Sequence, residues 1–348
     1  MSSRSDHAAA AGAQRELPEP APEAEPDFRT WIRAGALAAS SHNTQPWRVR
    51  IDPEVPAILI QPDDDRRCPV VDPNDAHLFK SLGCMAENIR IAAGVNGFDT
   101  EIDVCGDTPE IRLTFRRSDG PGELERYRAI ALRQCTRSGY DGTSLTDAER
   151  ESLSAAGRGV GVRTLLLEDA EWIDGVVDFV ERGNVVQLGD AGFKRELTEW
   201  IRFNPSIAVE RADGLSGVVM GQPALPQWLG RAVSGLFLKA DSQNRRDAEH
   251  IRSSSAIAVL VAERDELPGW VETGRVVQRL TLTTAALDLK HAYINPPIEV
   301  PELRTEFARW LGLDAEHPLL MLRIGRAEAA PYSLRRPLED YLAVPAEG

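Results

Sequence analysis

The chain has 348 residues, of which 42% are hydrophobic and 27% charged, and its formal net charge is −14. This balance is sufficient for a normal core and excludes the disordered, collagen-like and coiled-coil classes. A negative surface repels phosphate backbones, so we expect neither nucleic acid nor a membrane as a partner. The longest apolar run, 256–262, is far shorter than the roughly 20 residues that span a bilayer. Residues 1–26 contain no signal-peptide core and read as a disordered, solvated tail of a cytoplasmic protein.

The four cysteines indicate neither a metal site nor a disulfide framework. Cys68, Cys84, Cys105 and Cys135 form no CxxC pair and no zinc-like combination with histidine. We therefore interpret them as reduced thiols and expect no bound metal.

The first half of the chain, residues 27–120, contains two predicted helices and four predicted strands. A helix capped by Asp27 leads into the polar stretch 40–45. Strands are predicted over 47–51, 57–60, 100–104 and 111–115. Between them, apolar residues spaced four, three, four and three apart predict a long helix that Gly94 ends; they are Leu78, Leu82, Met85, Ile89 and Ala92.

A turn cluster at 119–122 marks the predicted boundary with the second half, residues 121–348. Helices are predicted over 123–134, 171–186, 191–201, 270–289 and 302–311, and a capping-box pattern of Thr146 and Glu149 starts another. Strands are predicted over 162–167, 256–262 and 319–324. Residues 204–226 form a long irregular excursion, which is typical of a lid or a binding loop. Because strands and helices do not alternate regularly, we predict an α+β layered fold.

Three segments could carry chemistry. Residues 40–47, SSHNTQPW, offer hydroxyl and amide groups suited to a polar heterocycle, although a hydrogen-bonded turn explains them equally well. Residues 133–137, RQCTR, place two arginines four apart, which could bind a phosphate; taken alone, favourable charges at a helix C-terminus explain them better. The basic stretch 332–337 could add a phosphate contact or could be a solvated patch.

Several common catalytic motifs are absent. The sequence contains no GxxxxGK[ST], HExxH or GxSxG motif. The glycine-rich residues 157–161 precede a predicted strand, whereas a dinucleotide-binding turn follows one. The sequence therefore indicates no catalytic side chain.

These segments resemble the nitroreductase family, and most closely its Acg-type subfamily of fused two-half proteins. Residues 39–47, ASSHNTQPW, are similar to that subfamily's APSxHNTQPW signature, and RQCTR followed by Tyr140 is similar to its R-x-T-x-R…Y segment. Cys135 stands where serine or threonine is usual. Further segments are similar to segments of that subfamily in the same order along the chain, and they extend the resemblance over about residues 27–342. They are Asp72-Pro73 with the helix through Gly83, Trp200 with 213–215, Trp270 with Gly274 and Gln278, and 323–325 before 335–337.

The resemblance implies a nitroreductase-like fold in which two fused halves form an intramolecular pseudo-dimer, with segment 204–226 as a lid over a single FMN. It places Arg133, Cys135, Arg137 and Arg335 at the phosphate and ribityl side. Ser40, Ser41 and Asn43 would meet the isoalloxazine, and Asn295 would lie beside the ring. Thr136 and Gln45 belong to the same two segments and are also expected to contact the cofactor.

The function implied is electron transfer from NAD(P)H through flavin N5 to a nitro, quinone or related small-molecule acceptor. Two alternatives remain open: a flavoprotein that sequesters FMN under its lid with little turnover, and a biosynthetic flavin dehydrogenase. Kinship of fold does not choose among them. The pseudo-dimer could act as a monomer or associate further as a homodimer.

Overall fold

The computed structural model describes residues 4–105, 109–237 and 239–343. The helices are α1 (Arg4–Ala13), α2 (Phe28–Ala36), α3 (Ala76–Val95), α4 (Leu124–Leu132), α5 (Asp147–Ala156), α6 (Ala170–Gly189), α7 (Ala191–Trp200), α8 (Pro205–Arg211), α9 (Gln227–Phe237), α10 (Ala240–Arg252), α11 (Leu267–Ala286), α12 (Pro296–Glu299) and α13 (Pro301–Trp310). The strands are β1 (Trp47–Ile51), β2 (Ala57–Pro62), β3 (Phe98–Cys105), β4 (Glu110–Arg117), β5 (Val162–Leu167), β6 (Ile201–Arg202), β7 (Leu215–Ser216), β8 (Ala256–Ala262), β9 (Lys290–Tyr293) and β10 (His317–Gly325).

Two four-stranded antiparallel sheets have the same construction. The first has the order β1-β2-β4-β3 and the second the order β5-β8-β10-β9. In each, two strands precede a 20-residue helix, α3 or α11, and two strands follow it. Sheets and helices are mixed without βαβ alternation, which confirms the predicted α+β class. The repeated order is the arrangement expected of two fused halves.

The two long helices, α3 and α11, pack against each other and join the sheets. Most residues of both are buried, and one continuous hydrophobic core covers α2, α3, α11 and the inner faces of both sheets. A second core lies on the other face of β8, between it and α6, α10 and α13. Strand β8 is buried at every position because it is covered on both faces. The division of the chain near residue 120 remains a proposal.

Local signals placed most elements correctly. Asp27 caps α2 by accepting a hydrogen bond from the Thr30 amide, and Thr146 with Glu149 forms the predicted capping box of α5. The helix predicted to continue to Leu289 ends at Ala286 instead, since Asp288 adopts a positive φ of 55° and the chain turns into β9. Three strands, β6, β7 and β9, and five helices, α1, α8, α9, α10 and α12, were not predicted.

The expectation of a disordered tail over residues 1–26 is wrong for the part of it that the structure describes. Residues 4–13 form α1, whose Ala11 is buried against Ala208, Ala212 and Leu334. The composition suggested solvation, but Ala10 and Ala11 of α1 pack against Ala208 and Val209 of α8. Segment 204–226, the predicted lid, consists of α8, β7 and irregular chain.

Candidate functional site

A cavity of about 250 Å³ lies beside the crossing of α3 and α11, against strands β9 and β10 of the second sheet. Its walls come from distant parts of the chain, and Leu215 of segment 204–226 also lines it. The first half contributes Ala39, Ser40, Ser41, His42 and Asn43, and from α3 His77, Lys80, Ser81 and Cys84. The second half contributes Arg133, Gln134, Cys135, Arg137, Val277, Tyr293, Asn295, Glu299, Leu320, Ser333 and Arg335, and the N-terminal segment contributes Arg15.

The polar loop 40–45 is held in an unusual backbone conformation. His42, Asn43 and Gln45 have φ values of 48°, 56° and 53°, in the left-handed region that few residues other than glycine, asparagine and aspartate adopt. The Ser40 hydroxyl accepts a hydrogen bond from the Gln45 amide (3.0 Å). The Asn43 side-chain amide donates to the carbonyls of Gly214 (3.1 Å) and Leu334 (3.2 Å). These bonds fix the loop against segment 204–226 and the C-terminal stretch.

Three arginines gather at one end of the cavity. Arg15, Arg133 and Arg335 are 6%, 3% and 5% exposed. Their hydrogen bonds go mainly to backbone carbonyls: Arg133 and Arg335 both donate to Leu37 O (3.0 and 3.2 Å). The Nε atom of each is buried without a hydrogen-bond partner. Among the described residues none of the three forms an ion pair with a carboxylate, so their positive charges are uncompensated.

Burial and mutual repulsion act on the protonation of these arginines. Burial, together with the nearby Arg133, lowers the pKa of Arg15 to about 9. Burial and the charges of Arg15 and Arg133 hold the pKa of Arg335 well below its usual value. An anion placed between the three guanidinium groups would reverse both effects because it favours the charged forms.

Residues 135–137 run from the arginine cluster along the edge of the second sheet. The Thr136 amide donates to His291 O (2.9 Å), and the Tyr140 hydroxyl donates to Thr136 O (3.0 Å). The Thr136 side chain is fully buried behind the cavity, whereas Cys135 and the exposed Arg137 line it.

At another part of the wall, a group of ionisable side chains lies on α3 and α12. Lys80 donates to Leu319 O (2.6 Å), and burial lowers its pKa to about 8. Glu299 accepts a hydrogen bond from the Gln187 side chain (2.7 Å), and burial raises the pKa of its carboxyl to about 7. The His77 Nε2 atom lies 3.8 Å from a Glu299 oxygen, and burial holds the pKa of His77 well below its ordinary value.

Eight of the ten predicted site residues line this one cavity, although they lie in separate segments of the sequence. They are Ser40, Ser41, Asn43, Arg133, Cys135, Arg137, Asn295 and Arg335. Two are not in its wall. Gln45 is fully buried, donating to Ala212 O (2.8 Å) and accepting from the Arg336 amide (2.8 Å), so it braces the loop. Thr136 is fully buried behind the cavity wall, so its side chain does not face the cavity.

Sequence reasoning missed Arg15, Glu299, Tyr293 and the polar residues of α3. His77, Lys80, Ser81 and Cys84 recur at the i, i+3, i+4 and i+7 spacing of one helix face. This polar stripe runs beside the apolar residues that identified the helix. Its spacing is the sequence signal that could have identified these four residues as part of the site. Arg15 and Glu299 carry no comparable pattern, because each reaches the cavity only through tertiary packing.

The position related to this cavity by the repeated fold is filled by charged side chains. Matching α3 to α11 from their first residues pairs Ser81 with Glu272 and Cys84 with Arg275. The fully buried carboxylate of Glu87 lies 3.1 Å from Arg275 Nε and 3.1 Å from Arg279 Nη1. Burial alone would raise its pKa, but Arg90, Arg279 and Arg275 together lower it to about 2. The ion-paired Glu272 and Arg275 therefore occupy the positions that correspond to the Ser81 hydroxyl and the Cys84 thiol of the cavity.

The described residues include no group of three or more His, Cys, Asp or Glu side chains that could hold a metal ion. Within the same part of the chain, no helix combines the length and the apolar character that a bilayer crossing demands. Cys68, Cys84 and Cys135 are free thiols, and the Cys105 side chain lies outside the described residues.

Comparison with known proteins gave relatives along almost the whole chain, although no family model matches it. Two curated proteins of Mycobacterium tuberculosis, from strains CDC 1551 and H37Rv, are each named "Putative NAD(P)H nitroreductase". Each is 24% identical over 340 residues, which cover 94% of this chain and 93% of the relative. The resemblance to nitroreductases expected from the sequence is therefore confirmed, and the Acg-type assignment remains a prediction.

Solved structures similar to this chain include three flavin-related enzymes. An FMN-bound nitroreductase from Desulfitobacterium hafniense has a TM-score of 0.40 and 13% identity, covering 63% of this chain and 97% of its own. An FMN- and NADPH-dependent nitroreductase from a Sphingopyxis species has a TM-score of 0.44 and 15% identity, covering 64% and 99%. An NADPH:FMN oxidoreductase from Vibrio harveyi, in complex with NAD+, has a TM-score of 0.39 and 13% identity, covering 64% and 78%.

Proposed function

We propose that this chain is an FMN-dependent oxidoreductase that takes electrons from NAD(P)H and passes them to a nitro, quinone or related small-molecule acceptor. The observation that carries the proposal is convergence: the arginines of residues 133–137 and the polar loop 40–43, almost a hundred residues apart, line the same cavity. The relatives named as NAD(P)H nitroreductases supply the reaction class.

The arginine end of the cavity has the chemistry that a phosphate monoester requires. Three buried guanidinium groups face no carboxylate among the described residues, and each retains an unpartnered Nε. Burying a polar donor without a partner costs free energy, which a phosphate oxygen would recover through charge-assisted hydrogen bonds. The residues present therefore fit the phosphate of FMN, with the Cys135 thiol at the position where the family resemblance implies a hydroxyl.

The remaining wall suits a flat polar heterocycle. Ser40, Ser41, Asn43 and Asn295 bring hydroxyl and amide groups to it, and Val277 and Leu320 add apolar surface. FMN, when bound, supplies the chemistry of accepting and donating two electrons as hydride. The chain's own part is to bind, orient and stabilise charge. The buried Lys80, whose pKa remains above neutral, places a positive charge where negative charge on a bound ring would be stabilised.

We expect one cofactor for each chain. The counterpart position in the repeated fold holds the buried Glu87 with Arg275 and Arg279, and an added Cβ on Gly159 there would lie 2.2 Å from a Glu272 oxygen. Opening a site at that position would break a buried ion-pair network, which costs several kcal/mol.

The first experiment is to purify the protein, record its visible spectrum and titrate it with FMN. We expect yellow protein with one FMN per chain. Arg133→Ala removes a buried guanidinium from the cavity and should weaken FMN binding roughly 10- to 150-fold, the equivalent of about 1.5–3 kcal/mol. The matched control is Arg128→Ala on α4, the helix that ends directly before Arg133, because Arg128 is exposed and its ion pair with Glu19 is long at 3.9 Å. Colourless wild-type protein that does not take up FMN would refute the proposal.

The second experiment tests turnover. Bound flavin should bleach on addition of NADH or NADPH under anaerobic conditions and recover its colour when a nitroaromatic or a quinone is added. A flavin reduced by neither nicotinamide would instead support the sequestering function. That alternative is favoured by one observation, the two hydrogen bonds that join Asn43 and Gly214 and hold segment 204–226 over the polar loop.

A further inference from the structure

The N-terminal segment is attached to the body of the protein at several points. Gln14 and Arg335 form two reciprocal hydrogen bonds, from Gln14 Nε2 to Arg335 O (2.8 Å) and from the Arg335 amide to Gln14 Oε1 (2.7 Å). The Tyr127 hydroxyl donates to Pro18 O (2.8 Å), and Arg117 donates to Pro22 O (2.6 Å). These contacts tie the segment to α4, β4 and the C-terminal stretch.

Arg15 is the residue that this segment delivers to the cavity. Its Nη1 donates to Ala131 O (3.0 Å) and Arg133 O (3.1 Å), and its guanidinium lies 4.1 Å from the centre of the Tyr332 ring. The side chain lines the same cavity as Arg133 and Arg335, and its Nε is buried without a partner.

This placement is unfavourable unless an anion is present. A third positive charge, nine-tenths buried beside two others, is repelled by them and loses its hydration. Two carbonyl contacts and one aromatic ring offset part of that cost. No carboxylate of the described residues is paired with Arg15. A phosphate between the three guanidinium groups would supply both the missing charge and acceptors for the unpartnered Nε atoms.

We propose that Arg15 is a third guanidinium of the phosphate site and that the N-terminal segment is a strap that docks when the phosphate is bound. The proposal rests on the proposed function for the identity of the cofactor, FMN, but the strap itself needs only a phosphate group. Because α1 packs on α8 and the exposed Arg4 contacts Gln222 O (3.1 Å), the strap and the lid segment 204–226 dock together.

A competing explanation is that Arg15 only caps the C-terminal end of α4, where its Nη1 satisfies two carbonyls. The two explanations differ in one respect. A cap contributes to stability whatever the ligand, whereas a phosphate contact distinguishes FMN from riboflavin, which has the same ring and ribityl chain and no phosphate.

The test compares these two flavins on the full-length protein. Arg15→Ala should weaken FMN binding 10- to 100-fold and change riboflavin binding less than 3-fold. The FMN affinity of Arg15→Lys should lie between those of the wild type and Arg15→Ala. The control Arg29→Ala removes an exposed arginine of α2 that does not line the cavity and lies 3.5 Å from the exposed Glu339, and it should change neither affinity. Equal losses for both flavins, or no loss for either, would overturn the proposal.

A second measurement does not depend on flavin binding. Hydrogen–deuterium exchange of the α1 amides is followed with and without inorganic phosphate. We expect phosphate to slow exchange at least 5-fold in the wild type and in Arg29→Ala, and to have no effect in Arg15→Ala. If the wild type binds no flavin but phosphate protects α1 in this way, the proposed function fails and the strap stands. If phosphate leaves α1 exchange unchanged in the wild type, the strap is refuted even where FMN binds.

Discussion

Gly83 of α3 and Gly274 of α11 occupy matching positions and face one another where the two helices cross. A Cβ on Gly83 would lie 2.2 Å from Val271 O and 3.2 Å from the Gly274 Cα, and a Cβ on Gly274 would lie 2.0 Å from Lys80 O. The backbones of α3 and α11 are therefore in direct contact at this crossing. Since Lys80 borders it, the spacing of the two helices also sets the position of one cavity wall.

Substituting either glycine should separate the helices. Because the atoms in the way are backbone, which cannot move as a side-chain tip does, we expect Gly83→Ala and Gly274→Ala each to lower the free energy of unfolding by about 2–3 kcal/mol or more. Urea unfolding measures this. The control is Gly94→Ala, also on α3, where no atom lies within 4 Å of the added Cβ. It should be neutral or stabilise by up to about 1 kcal/mol through helix propensity. A Gly83→Ala protein as stable as the control would show that the helices can separate freely.

The raised pKa of Glu299 predicts a pH-dependent difference between the wild type and Glu299→Gln. The folded pKa is about 7 against an ordinary value of 4.5, so folding favours the protonated carboxyl. The wild type therefore loses stability as the pH rises from 4.5 to 7, and the neutral glutamine does not. Relative to the wild type, the variant should gain stability over this range, by at most roughly 3 kcal/mol, and the gain should level off above pH 7.

Urea unfolding of both proteins at several pH values between 5 and 8 measures the effect. Glu302→Gln, at the exposed start of α13, is the matched control that removes the same charge from the surface. A constant difference between Glu299→Gln and the wild type across this range would show that the carboxyl is not held protonated by burial.

Asp213 is predicted to latch segment 204–226. Its carboxylate, 6% exposed, accepts hydrogen bonds from Arg202 Nε (2.9 Å) and Arg66 Nη1 (3.0 Å). Asp213→Asn removes the charge that holds both arginines, so the segment should open more readily and bound flavin should be reduced by NADH several-fold faster. Stopped-flow absorbance measures this rate. Glu210→Gln, an exposed acid of α8, is the control. An unchanged rate in Asp213→Asn would mean that the segment does not limit access to the cavity.

Local sequence patterns predicted the parts of the protein that depend on near neighbours. The capping box of Thr146 and Glu149, the apolar spacing along α3 and most strands are decided by residues a few positions apart, and the structure has them where the patterns placed them. The polar loop and the arginine segment were recognisable for the same reason, because their residues are consecutive.

The orientation of individual side chains within those segments was not predictable. Gln45 lies two residues after Asn43, and Thr136 lies between Cys135 and Arg137, and these three neighbours all line the cavity. Gln45 and Thr136 nevertheless face the interior, where Gln45 bonds the Ala212 carbonyl and the Arg336 amide and Thr136 accepts from the Ala330 amide. Their partners come from other parts of the chain. A motif therefore identifies the segment and not which of its members contact a ligand.

What the sequence by itself determined is the class of the fold, the order of its elements and the two segments that border the cavity, since these follow from spacing, capping and composition. Only the tertiary structure decided that α1 docks, that Arg15 joins Arg133 and Arg335, and that Lys80 and Glu299 share a wall of the same cavity. Residues 1–26 are too polar to fold on their own account. Residues 4–26 are ordered by contacts with residues 75 or more positions away, among them Asn96, Arg117, Ala131 and Arg335, and no local pattern encodes such contacts.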